Sequence, residues 1–257
     1  MVASLLGLAG FVTVVLWAAL ASAMIYPFAV LPRGKRERLA IWPARLFGWL
    51  CVYVTCLARV TLVGVENLPR KPGYLVVSNH RSWADVGLLI LHTRSLGISK
   101  KEIAYIPFFG LAGYLAGVIF FDRRSKISRG RVIEDALNLL HAGANLHVFP
   151  EGTRTRDGCV REKVFLRLLS SCHQSGIAVV PACVWGTERA VPAAGIALHL
   201  RQEVGLEIGA PLDPSAYTSG AEYARDTWAR VVSMARSRGA DQPFSPGSPP
   251  SPPRSDS

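Results

Sequence analysis

Four short runs rich in Val, Ile, Leu and Phe recur between residues 74 and 184, and segments of helical periodicity separate them. This alternation constrains the fold more than any other feature of the chain. The runs are Tyr74-Leu75-Val76-Val77-Ser78, Val118-Ile119-Phe120-Phe121, Leu146-His147-Val148-Phe149 and Ala178-Val179-Val180-Pro181-Ala182-Cys183-Val184. Residues 84–92, 130–142 and about 164–172 carry the helical spacing, clearest in Val132, Ile133, Ala136, Leu139 and Leu140. Strands alternating with helices imply an α/β domain with a mostly parallel central sheet flanked by helices. In such sheets ligands gather at the loops leaving the strand ends, so chemistry is expected just after the four runs.

The ends of the chain read differently. No charged residue precedes Arg33, and residues 5–30 form a 26-residue apolar run. About 20 helical residues suffice to cross the hydrocarbon core. Pro27 and Pro32 predict a helix end near Tyr26, and the cluster Arg33-Gly34-Lys35-Arg36-Glu37-Arg38 belongs on the cytoplasmic face by the positive-inside rule. Residues 1–32 are therefore expected to be an uncleaved anchor. The small-x-small triplet Ala21-Ser22-Ala23 resembles a signal cleavage site, but the stretch before the apolar run has no Lys or Arg. Residues 33–60 read as a basic juxtamembrane segment leading into an interfacial helix, because residues 46–58 are apolar but too short to span and Trp42, Trp49 and Tyr53 suit an interface. Residues 61–240 hold one domain, and the Pro- and Ser-rich stretch 241–257 reads as a disordered tail. Residues 103–121 contain no charge, but Pro107, Gly110, Gly113 and Gly117 make a poor continuous helix. An apolar wall or acyl-chain groove ending in a core strand is expected there.

Composition narrows the partners. Charged residues make up 18% of the chain, against about 25% for an ordinary soluble domain. The formal net charge is +11, so the partner is polyanionic: nucleic acid, an anionic bilayer or a phosphate-bearing substrate. No nucleic-acid-binding module accompanies that charge, which leaves an anionic bilayer or a phosphate-bearing substrate. The five cysteines form no CxxC pair, and His92, His141, His147, His173 and His199 show no metal-ligand spacing, so no metal is expected. No G-x-S-x-G elbow and no GxxxxGK[ST] loop occurs.

After the first run comes Ser78-Asn79-His80-Arg81-Ser82-Trp83-Ala84-Asp85. On a regular helix, residues five apart point about 140° from one another. His80 and Asp85 meet only if His80 lies in the turn before the helix and Asp85 in its first turn. Asp85 would then fix the imidazole tautomer and leave the other nitrogen as a general base. The same residues admit a structural reading, because Ser82-x-x-Asp85 is also a capping-box pattern. After the third run, Phe149-Pro150-Glu151-Gly152-Thr153-Arg154-Thr155-Arg156 forms a turn dense in Gly, hydroxyls and guanidinium groups, suited to an anionic oxygen cluster. Arg123 and Arg124 follow the second run in the same way.

These blocks carry a resemblance. Asn79-His80-x4-Asp85, Ile119-Phe120-Phe121-Asp122-Arg123, Phe149-Pro150-Glu151-Gly152-Thr153-Arg154 and Val179-Val180-Pro181, in that order, resemble the four motifs of the glycerolipid acyltransferases. The 1-acylglycerol-3-phosphate O-acyltransferase (lysophosphatidate acyltransferase) family is the nearest match, over residues 60–215. The resemblance implies direct acyl transfer from acyl-CoA or acyl carrier protein to the free hydroxyl of lysophosphatidic acid at a membrane, with neither metal nor cofactor. It implies His80 as general base, Asp85 orienting it, Arg123, Glu151, Gly152, Thr153 and Arg154 on the glycerol phosphate, and Pro181 shaping the acyl site. Other lysolipids, such as a lyso-ornithine lipid or a lysophospholipid, are alternative acceptors, and a non-catalytic lipid-binding protein is the alternative of another class. Two departures stand out. Arg81 replaces an uncharged polar residue and would add a phosphate contact or alter acceptor preference. Glu162-Lys163-Val164-Phe165 lacks the Gly of the family's Phe-Lys-x-Gly segment.

Overall fold

The computed structural model describes residues 2–242 apart from 33, 123, 156, 162, 163 and 194–196. Nearly all of the expected 241–257 tail, and Arg123, thus lie outside the described residues. Helix α1 covers Val2–Ile25 and passes at Pro27 into a 3-10 turn over Tyr26–Val30, where the prolines placed its end. Helix α2 is Lys35–Trp49, continued by a π-helical turn over Leu50–Thr55. There follow β1 (Arg59–Val63), β2 (Leu75–Ser78), α3 (Ala84–Thr93), β3 (Ser95–Lys100), α4 (Phe109–Ala116), β4 (Ile119–Phe121), α5 (Lys126–His141) and β5 (Asn145–Val148). Then come α6 (Arg167–Gln174), β6 (Val179–Trp185), α7 (Thr187–Ala190), β7 (Glu203–Ile208) and α8 (Gly220–Ser237).

The strands form one sheet in the order β1-β7-β6-β2-β5-β3-β4. Five of them, from β6 to β4, run in one direction; β7 pairs antiparallel with β6, and β1 pairs parallel with β7. The mostly parallel sheet is as expected. Every residue of β2 is buried, as a central strand covered on both faces requires. Leu75 and Val77 point to a layer holding Leu140 of α5, Leu169 of α6 and Tyr223 of α8, while Val76 points the other way, to Leu89 of α3. Helix α8 presents Tyr223, Ala224, Thr227, Trp228, Val231 and Ala235 to the sheet at helical spacing, and Ser219 caps it by accepting from the Glu222 N–H.

The N-terminal helices form a further layer. Gly7, Gly10, Ala18, Ala21, Ser22 and Ile25 are the buried stripe of α1, and Leu5, Leu8, Val12, Leu16, Leu20 and Met24 lie exposed on its other side. Trp17 Nε1 donates to Thr55 Oγ1 (3.0 Å), and Ser22 Oγ donates to the Phe108 carbonyl (3.1 Å). The expected anchor is thus docked along the domain rather than standing apart as a tether. Residues 103–121 end in a strand, but β4 is the half-buried edge strand of the sheet rather than a core strand, and the rest folds as a tight turn and α4 against α1 and α2. Gly110 permits that turn: a Cβ there would sit 1.8 Å from the Ala104 carbonyl oxygen. Part of the basic juxtamembrane cluster is spent internally. Arg36 pairs with the buried Glu37 at 2.9 Å, and Arg38 Nε donates to the Gly34 carbonyl.

Candidate active site

Because β2, β5, β6, β3 and β4 run parallel, the loops at their carboxyl ends share one edge of the sheet. The turn after β2 carries His80, that after β5 carries Glu151 to Arg154, and that after β6 carries Thr187. Asn79 pins the first loop to β6, its Nδ2 donating to the Val184 carbonyl (2.9 Å) and its Oδ1 accepting from the Val184 N–H (2.8 Å).

His80 and Asp85 meet. His80 lies before α3 and Asp85 in its first turn, and His80 Nδ1 stands 2.9 Å from Asp85 Oδ2. The same oxygen accepts from the backbone N–H groups of Arg81 (2.6 Å) and Ser82 (2.7 Å), while Thr187 Oγ1 donates to Oδ1. The contact with the imidazole and the capping geometry of Asp85 coexist: one fully buried carboxylate orders the helix start and faces the imidazole. With Asp85 accepting, Nδ1 carries the proton and Nε2 carries the lone pair. The ring also stacks on Phe149, with centroids 3.9 Å apart at 12°. Neither Thr187 nor Phe149 was singled out from sequence. Gly186-Thr187-Glu188, directly after a strand, was the available signal for Thr187.

The turn after β5 divides its residues between two tasks. Glu151 is 4% exposed; its Oε1 accepts from the His80 N–H (2.9 Å), and its Oε2 is buried with no hydrogen-bond partner among the described residues. The carboxyl is turned into the protein rather than toward solvent. Gly152 takes a left-handed φ of +71°, Thr153 is exposed, and the Arg154 guanidinium lies over the Trp83 ring at 4.9 Å. Pro181 is buried within β6 opposite Val77, its carbonyl accepting from the Gly209 N–H (2.8 Å). Arg81 does not face the site. Its guanidinium is buried and donates to Glu188 Oε2 (2.8 Å) and to the carbonyls of Gly158 and Ala240, so the expected phosphate contact is replaced by an internal clamp. No cluster of His, Cys, Asp and Glu able to hold a metal occurs among the described residues.

Burial pushes the Glu151 carboxyl up to about 7, and Asp85 adds to the shift, while the His80 N–H, Arg161 and Arg81 oppose it. A folded-state value above the usual 4.5 means that the fold holds a proton the unfolded chain has released. This stabilisation is complete below pH 4.5 and is lost as pH rises to about 7. Glu151→Gln mimics the neutral form at all pH values. The melting temperature of Glu151→Gln minus that of the wild type is therefore expected to rise from pH 4.5 to 7 and then level off, by no more than about 3 kcal/mol of stability. A difference that stays flat across that window, read by thermal melts, would show that the carboxyl is ionised throughout.

Comparison with known proteins adds to this geometry. Residues 59–185 match the family model "Acyltransferase". The chain is 32% identical over 170 residues to a chloroplastic 1-acyl-sn-glycerol-3-phosphate acyltransferase of Arabidopsis thaliana, covering 65% of this chain and 47% of that protein. It is 35% identical over 159 residues to a lyso-ornithine lipid O-acyltransferase of Pseudomonas aeruginosa, covering 62% and 58%. The chain thus spans about half the length of the curated relatives it matches. The crystal structure of the 1-acyl-sn-glycerophosphate acyltransferase of Thermotoga maritima superposes with a TM-score of 0.75 at 25% identity, covering 90% of this chain and 94% of that one. The converging strand-end loops, the ordered motifs and these likenesses agree: residues 59–185 match the acyltransferase family model, and the chain is similar to the 1-acyl-sn-glycerol-3-phosphate acyltransferases among the glycerolipid acyltransferases.

Proposed function

We propose that this protein is a membrane-bound acyltransferase that moves a fatty acyl group from an acyl thioester, carried by CoA or acyl carrier protein, to the free hydroxyl of 1-acylglycerol-3-phosphate, yielding phosphatidic acid. The supporting observation is the environment of Asp85: its Oδ2 gathers His80 Nδ1 and two backbone N–H groups, which leaves Nε2 of His80 as a base at the edge of the sheet. Nε2 takes the proton of the acceptor hydroxyl as that oxygen attacks the thioester carbonyl. The tetrahedral intermediate then collapses, the C–S bond breaks, and the imidazolium returns its proton to the leaving thiolate. Asp85 stabilises the imidazolium between these steps.

Arg154, Thr153 and the Gly152 turn are the phosphate-binding elements of this reading, joined by Arg123, which lies outside the described residues. Pro181 is assigned to the floor of the acyl site. The stretch Ser4–Val30 is long and apolar enough to cross a membrane, and most of it is not buried in the protein. The bilayer is assigned to the exposed face of α1 with Trp42 and Trp49 at the interface, and the catalytic loops to the cytoplasmic side.

A second acceptor is favoured by the 35% identity to the lyso-ornithine lipid enzyme. Membranes containing the protein, given labelled acyl-CoA or acyl carrier protein with 1-acylglycerol-3-phosphate, a lyso-ornithine lipid and a lysophospholipid, separate the readings. Turnover of 1-acylglycerol-3-phosphate is expected to exceed that of the others by at least about tenfold, because donors placed for a doubly charged phosphate monoester lose hydrogen bonds to a phosphodiester or an ornithine headgroup. Faster labelling of the lyso-ornithine lipid moves the assignment to that acceptor. Absence of label from every product, with either donor, overturns acyl transfer.

A further inference from the structure

Both backbone polar groups of His80 are held by a single turn. Its N–H donates to Glu151 Oε1 and its carbonyl accepts from the Thr155 N–H, each at 2.9 Å. Gly152, Thr153 and Arg154 lie between these two grips. The Glu151 carboxyl is almost wholly buried and its Oε1 is committed to an amide, so it does not present a donor to a phosphate in the open site. When ionised, it would repel one. The imidazole ring is fixed by Asp85 and Phe149, but the Cα from which it hangs is fixed by this turn.

We propose that Glu151 is a positioning residue that sets His80 through its backbone N–H and makes no contact with the acceptor phosphate. The proposal rests on the acyl-transfer reading above and replaces the phosphate contact that the sequence resemblance implied for Glu151. A displacement of about 1 Å at a reacting group lowers turnover by as much as about 100-fold without weakening ground-state binding. The charged groups acting on Glu151 are Arg161 and Arg81, which favour its ionised form, and Asp85, which opposes it. Either protonation state keeps Oε1 as the acceptor.

The full-length protein in lipid vesicles, as wild type, Glu151→Ala, Glu151→Gln and Arg154→Ala, tests this. Glu151→Ala is expected to lower kcat between about 10- and 100-fold with KM for 1-acylglycerol-3-phosphate within about twofold of wild type. Glu151→Gln, whose amide oxygen still accepts from His80, is expected to recover most of that loss. Arg154→Ala is expected to do the reverse, raising KM. Hydrogen exchange followed by mass spectrometry reads the link without turnover: the peptide containing residues 79–85 exchanges faster in Glu151→Ala and at the wild-type rate in Glu151→Gln. A raised KM with kcat preserved in Glu151→Ala would overturn the proposal, as would Glu151→Gln behaving like Glu151→Ala. Should the wild type label no lysolipid, the acyl-transfer reading fails, and unaltered exchange in Glu151→Ala would separately reject the link to His80.

Discussion

His80→Ala is expected to lower kcat for acyl transfer between about 10²- and 10⁴-fold, the span over which a positioned general base contributes. KM for both substrates should change little, because the imidazole acts on a proton in flight rather than on the bound ground state. Stability should change little too: Asp85 retains three of its four donors, Arg81 N–H, Ser82 N–H and Thr187 Oγ1. Asp85→Ala makes a contrast. It removes the shared acceptor and leaves two buried backbone N–H groups and the Thr187 hydroxyl without partners, each a loss of about 1–3 kcal/mol. Asp85→Ala is therefore expected to match His80→Ala in turnover and to fall well below it in melting temperature. Labelled acyl transfer and thermal melts on the same preparations check the pair. Wild-type turnover in His80→Ala would remove His80 as the base. Equal melting temperatures would mean that Asp85 serves the imidazole alone.

The parts of this site legible in the sequence are those that depend on local order along the chain. Apolar runs announce β2, β5 and β6, and the turns that leave them carry polar and charged residues, so the sequence pointed to the loops of His80, Asp85 and Glu151–Arg154 that the structure brings to one edge of the sheet. Strands whose residues do not look like core were missed. β3, Ser-Leu-Gly-Ile-Ser-Lys, has a glycine in the middle because the His147 ring lies 3.0 Å from where a Cβ would stand. β1 and β7 run against the other five strands and are placed by pairing across the chain, Arg59 opposite Glu203, which local pattern does not contain. Side-chain direction was equally hidden. Glu151 and Arg81 sit beside the proposed site residues in sequence, and both point inward, because each finds a partner more than 70 positions away. Adjacency identified the loop, and the tertiary hydrogen bonds decided which of its members turn into the fold.

Arg81→Ala is expected to destabilise the fold by about 3–5 kcal/mol, the loss associated with breaking one side of a buried ion pair. Arg81 and Glu188 side chains are 4% and 14% exposed, and the guanidinium also donates to the Gly158 and Ala240 carbonyls. Truncation leaves a carboxylate and two carbonyls largely out of water with no compensating donor. Arg81→Lys keeps the charge but cannot reproduce the planar fork that serves three acceptors from two directions, so an intermediate loss is expected. Arg81→Ala combined with Glu188→Ala should recover part of the loss, since the stranded carboxylate is removed with its partner. Three elements are joined by this clamp: the turn that carries His80, the loop at Gly158 and the chain just beyond α8. Unfolding should therefore remain a single transition, shifted as a whole, when followed by circular dichroism in denaturant. The competing expectation, a guanidinium serving the acceptor phosphate, makes the opposite prediction: unchanged stability and a raised KM for 1-acylglycerol-3-phosphate. Measuring stability and KM on the same variant decides between them, and a stable Arg81→Ala protein with a raised KM would return Arg81 to the substrate site.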